Sequence, residues 1–232
     1  MQDGVFGIAR PAALARSIAI GCLVIAAIAL PLGAAPPLTR AQAQQALAQT
    51  DPARRVAALQ RLAEVGTMAD APRVAERLRL GDADEQEAAA AALWAIWSRS
   101  GDAGIDQLLV RGTQLMSEGE FGPALALFEE IVRLRPAFAE GWNKRATVLF
   151  LLGRNAESLR DCGEVLKRNP LHFGALSGMA QIHMRLGDPE AALAAYQRAL
   201  KVNPGLPDGA QNLRQLEEAV RERRRAAGGR IT

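Results

Sequence analysis

Residues 112–136, GTQLMSEGEFGPALALFEEIVRLRP, return at 146–170 as ATVLFLLGRNAESLRDCGEVLKRNP and at 180–204 as AQIHMRLGDPEAALAAYQRALKVNP. The interval is 34 residues, so Pro136, Pro170 and Pro204 share one register, and Gly119, Gly153 and Gly187 share another. Each copy places small residues where two helices can cross: Gly112 with Ala124, Ala146 with Ser158, Ala180 with Ala192. A large residue follows at Phe128, Cys162 and Tyr196, then a medium one at Ile131, Val165 and Ala199. Two antiparallel helices approach closely only where side chains are small, and a bulky neighbour must fill the space beside the crossing. One such pair buries little alone, and stacking several buries a continuous core.

Composition agrees with helices throughout. Of 232 residues 49% are hydrophobic and only 4% aromatic, so the core is built mainly from Ala, Leu, Val and Ile. Ala, Leu, Arg, Glu and Gln dominate the long segments after Gln42, and period-two runs of Val, Thr and Tyr are missing. The expected fold class is all-α, a helical-repeat solenoid.

On the register above and on Glu140-Gly141-Trp142-Asn143-Lys144-Arg145-Ala146, residues 105–206 resemble the tetratricopeptide repeat family. Three helix pairs and a capping helix, Pro207 to Arg225, are then expected within a domain at 102–225, with 226–232 as a tail. Leu206, Leu213, Leu216 and Val220 would cover the last pair. In that family the first helices line a concave groove that takes an extended peptide or a partner helix, and the resemblance implies the same surface here. Helical phase then names its candidates: Leu109, Thr113 and Met116; Asn143, Lys144, Thr147, Phe150 and Leu151; Ser177, Gln181, Met184 and Arg185. Asn143 is expected to grip a peptide backbone, and neither Asn143 nor Lys144 is expected to fill a core position. Members that bind the C-terminal carboxylate of heat-shock chaperones carry a Lys and an Asn in the first groove; Leu109 and Thr113 stand there instead.

A second helical segment occupies 44–101. Asp51-Pro52 and Asp70 with Pro72 read as an N-cap and first-turn Pro opening two helices, and a third starts near Asp84 and runs to Trp97. Asp51-Pro52-Ala53-Arg54-Arg55-Val56, returning in part at Asp82-Ala83-Asp84, resembles HEAT-type repeats over 51–100. Trp94 and Trp97 share one helical face and are expected to pack against the first tetratricopeptide unit.

The first 43 residues read as a signal peptide or a membrane anchor. Arg10 and Arg16 precede an uncharged apolar stretch, Ser17 to Leu30, followed by Pro31, Gly33 and Ala41-Gln42-Ala43. Cleavage after Ala43 or Ala41 is expected; the alternative is an uncleaved anchor running from Ser17 through Thr39. In both cases the charges put the N-terminus inside and the rest across the membrane, so the chain is expected in the periplasm or outside the cell.

Enzyme chemistry finds no foothold. The two His, His172 and His183, and the two Cys, Cys22 and Cys162, form no metal motif of usual spacing, and no Gly-rich phosphate loop is present. No cofactor and no metal are expected; His183 is read as a packed structural residue and His172 as a loop residue. Downstream of Ala43, Cys162 stands alone, so no intrachain disulfide forms there. Of 28 basic and 25 acidic residues, Arg10, Arg16, Arg40 and Asp3 lie in the leader, leaving 25 basic against 24 acidic, well interleaved. That balance excludes nucleic acid as a partner. The expected function is a monomeric, exported, non-enzymatic scaffold that binds a partner polypeptide; the alternative is a constitutive accessory subunit of a larger envelope complex.

Overall fold

Eleven α-helices and no strand make up residues 36–228, the part of the chain that the computed structural model describes. These residues fall into two units that divide between Trp97 and Ser98.

The first unit holds α1 (Arg40–Ala46), α2 (Pro52–Val65), α3 (Ala71–Leu80) and α4 (Ala83–Trp97). The starts of α1 and α2 return 31 residues later as the starts of α3 and α4, so the unit is two copies of a helix pair. Two ion pairs link one copy to the other, each between residues 30 apart: Arg40 Nε to Asp70 Oδ2 at 2.8 Å, and Arg55 to the buried Glu85. Asp51 caps α2 through the Ala53 N–H, as its sequence predicts. Asp70 does not cap α3. Its carboxylate turns to Arg40, Gln44 and the Thr67 N–H, and α3 opens on the fixed φ of its early proline instead. Trp94 and Trp97 stack edge to face at 5.4 Å between centroids.

In this unit the expected boundary at residue 43 falls inside α1. Thr39 closes a capping box at the start of α1, Ala43 is fully buried, and the Arg61 Nε donates to the Leu38 carbonyl at 2.6 Å. A cut after Ala41 or Ala43 would therefore sever a packed helix. The charged and apolar segment, Arg10 to Leu30, lies outside the described residues; among those described, no helix is long and apolar enough to cross a membrane.

The second unit contains three helix pairs, α5 (Ala103–Ser117) with α6 (Phe121–Leu134), α7 (Ala139–Leu151) with α8 (Asn155–Arg168), and α9 (Phe173–Arg185) with α10 (Pro189–Val202), then the cap α11 (Gly209–Gly228). Each helix packs on its chain neighbour. Gly119, Gly153 and Gly187, at the turn inside each pair, have φ of +83°, +75° and +72°, a backbone state that side chains with a Cβ resist. The crossings are as close as the repeat predicts. A Cβ on Gly112 would come within 2.6 Å of the Phe128 ring. Where the small residue is polar, it is satisfied across the pair: the buried Ser158 hydroxyl donates to the Ala146 carbonyl at 2.7 Å. Leu216 and Val220 of α11 are buried, with Leu206 and Leu213 against the same cluster.

Gly112→Val should lower stability by about 1–3 kcal/mol, because the Phe128 ring is itself fully enclosed and has nowhere to move. Thermal unfolding followed by circular dichroism reads this directly. An unchanged midpoint would mean that the crossing is looser than the geometry shows.

Candidate functional site

Consecutive first helices of the second unit, α5 with α7 and α7 with α9, pack against one another. Their outward positions form one face of the stack. That is the face on which the candidates of the sequence analysis were placed.

They divide by burial. Gln181 and Arg185 are exposed, and Thr113, Lys144, Thr147, Phe150, Leu151, Ser177 and Met184 are partly exposed. Leu109, Met116 and Asn143 are buried, at 5%, 7% and 9% exposure, and drop out as ligand contacts. Leu109 and Met116 are apolar side chains committed to the core. Thr113 and Thr147 turn their hydroxyls back onto carbonyls of their own helices, Leu109 O at 2.8 Å and Asn143 O at 2.9 Å.

Asn143 fails for a different reason. Its amide donates to both carboxylate oxygens of Glu140, each at 3.2 Å, and Glu140 is fully buried. The Lys144 ammonium stands 3.5 Å from the same carboxylate. Across the pair boundary, His172 Nε2 meets Glu140 Oε2 at 3.0 Å, while His172 Nδ1 accepts the Ala175 N–H at 3.1 Å and so caps α9. An Nδ1 that accepts leaves the proton on Nε2, so the ring donates to the carboxylate. Burial pushes the Glu140 carboxyl upward, but Lys144, His172 and Asn143 outweigh it and hold the group below the usual carboxylate range. Asn143 is therefore a buried, structure-supporting residue, against the expectation that it fills no core position, whereas Lys144 stays partly exposed.

Sequence reading missed Glu140 and His172 as partners. They stand 32 residues apart, and His172 looked like a loop residue. A signal was available in part: His172 sits just before a helix, where a side-chain acceptor is needed.

The neighbouring rung is polar too. Trp142 donates its indole N–H to Pro136 O at 2.9 Å, with the guanidinium carbons of Arg145 and Arg168 at 4.8 and 4.7 Å from its ring centre. Arg145 grips the buried Asp161 with two hydrogen bonds of 2.6 and 2.7 Å. Cys162, next to it, is 3% exposed, and burial, helped by the Asp161 charge, pushes its thiol up to about 12. It is a protonated core residue, without the thiolate that redox chemistry requires. His183 is partly exposed on α9. Among the described residues, no three His, Cys, Asp or Glu side chains are grouped to hold a metal ion.

Comparison with known proteins bears on this architecture. Sequence models of the tetratricopeptide repeat match residues 109–170 and 174–206. A TPR repeat-containing protein of Rhizobium etli is 36% identical over 124 residues, covering 53% of this chain and 61% of its own length. The Hsp70-Hsp90 organizing protein of Triticum aestivum is 28% identical over 127 residues, covering 53% of this chain but only 22% of its own. The chain thus spans less than two thirds of either relative. In structure it is similar to the Sgt2 TPR domain from Aspergillus fumigatus, with a TM-score of 0.51 at 20% identity over 54% of this chain and 85% of that one. Residues 109–170 and 174–206 are thus the part of the chain that matches the tetratricopeptide repeat.

Proposed function

We propose that this protein is an exported, non-enzymatic scaffold that holds a segment of a partner polypeptide against the first helices α5, α7 and α9. The observation that carries the reading is the make-up of that face. Lys144, Thr147, Phe150, Leu151, Gln181, Met184 and Arg185 stay partly or wholly exposed while the core beneath them is closed. An apolar strip edged by amide and cationic groups suits an extended chain, whose own backbone polar groups need partners. The matched repeats support the same class, since stacked helix pairs expose a long surface and bring no reaction chemistry of their own.

Export rests on Arg10 and Arg16 ahead of Ser17–Leu30. Burial of Ala43 in α1 supports retention of the apolar segment as an anchor, or a cut upstream of Thr39, over a cut at Ala43. We further read the paired helices of residues 51–100 as HEAT-like.

A photoreactive amino acid at Gln181 or Thr147 of the full chain should give a discrete cross-linked partner in cells, and one at the exposed Arg160 of α8 should not. Equal adducts from all three positions, or none from the first two, would remove the first-helix face as the site. For topology, an enzyme reporter that is active only after export, fused after Thr232, should be active; activity of a cytosol-only reporter there would reverse the orientation.

A further inference from the structure

Three guanidinium groups lie over aromatic rings in the second unit, and two of them have carboxylate partners. Arg145 pairs with Asp161 at 2.6 Å and Arg168 with Glu164 at 2.6 Å. The third, Arg185, lies with its guanidinium carbon 3.7 Å from the centre of the Phe150 ring and donates one N–H to the Phe150 carbonyl at 3.0 Å. Among the described residues, no carboxylate comes within ion-pair distance of it.

The acids closest in sequence are already engaged. Asp188 caps α10 through the Ala191 N–H and accepts from Arg223 at 3.2 Å, and Glu190 accepts from Arg223 at 3.1 Å. Arg185 is thus held by the ring and by one backbone bond, on an exposed residue whose fork carries five donors. A guanidinium fixed in this way has already lost much of the rotamer freedom that binding would otherwise cost, and it matches the two oxygens of a carboxylate. Phe150, under the guanidinium, is apolar and partly exposed.

Building on the reading of this face as a peptide site, we propose that the bound segment carries an Asp or Glu side chain on Arg185 and an adjacent apolar side chain against Phe150. The side chain, rather than a chain terminus, is the source of the carboxylate. A terminal carboxylate calls for several converging donors, and here Lys144, the other cation of the face, is already turned to Glu140.

The test uses the immobilised full chain and three pools of twelve-residue peptides, capped at both ends and random except for a central Glu-Leu, Gln-Leu or Lys-Leu pair. Retention of the Glu-Leu pool should exceed that of the Lys-Leu pool about tenfold, and Arg185→Gln should cut the preference to about twofold. Arg185→Lys, which keeps the charge, should restore part of it, and unfolding midpoints recorded beside each variant separate lost recognition from lost fold. Equal retention of all pools by the parent chain overturns the acid preference and leaves the peptide-binding reading standing. Retention of none overturns both. A preference that survives Arg185→Gln in a folded chain, or one that appears only when the peptide C-terminus is left free, overturns the assignment to Arg185 and a side-chain carboxylate.

Discussion

Phe128→Ala is expected to lower the unfolding free energy by about 3–5 kcal/mol, the largest effect of any single truncation in the second unit. The ring is fully buried and fills the space that Gly112 leaves where α5 crosses α6. Truncation opens a void between two helices that cannot close it: a shift of either would also disturb the buried Ala124 and Ile131. In a stacked array the loss passes to the adjoining pair, because each unit's core is completed by its neighbour. Urea unfolding of the parent and variant, with Phe128→Leu as an intermediate, gives the measurement. A loss below about 1 kcal/mol would show that the crossing repacks and that the small-plus-large pairing does not lock the helices.

The second expected result concerns the polar cluster. His172→Ala removes the cap on the Ala175 N–H, worth about 1 kcal/mol, and one donor to the buried Glu140, worth about 1–3 kcal/mol, so a combined loss of about 2–4 kcal/mol is expected. His172→Asn should lose less, since its side chain can still cap α9. The same cluster predicts an acid dependence. Because the Glu140 carboxyl is held below its ordinary value in the folded chain, its stabilisation is fully present above the usual carboxylate range and is lost as pH falls through the lower, folded value. Unfolding free energy should therefore decline in the parent as pH falls below the usual carboxylate range, and decline less in Glu140→Gln. Parallel profiles for the two would place the acid sensitivity elsewhere. Asn143→Ala and Lys144→Ala are now expected to destabilise the fold as well, since both hold that carboxylate.

The sequence by itself determined the helix pairs of residues 105–206, their turns and their cap, because close packing leaves a periodic trace. A crossing that admits only Gly, Ala or Ser, followed by a bulky plug and a glycine at positive φ, must recur at every repeat, and so Gly112, Phe128 and Gly119 announce their roles. It also placed the candidate face by helical phase, and Gln181 and Arg185 do stand exposed on it. Only the tertiary structure decided which polar residues of that face are free to meet a partner. Asn143 and Gln181 are both amide-bearing residues on first helices, yet one is buried on Glu140 and the other faces water. Arg145 and Arg185 both lie over rings, yet one has Asp161 and the other no carboxylate among the described residues. Periodicity gives the direction in which a side chain leaves its helix. Whether it then finds a partner is set by residues distant in sequence, as His172 is 32 residues from Glu140, and by the dry interior where an unpaired charge costs most.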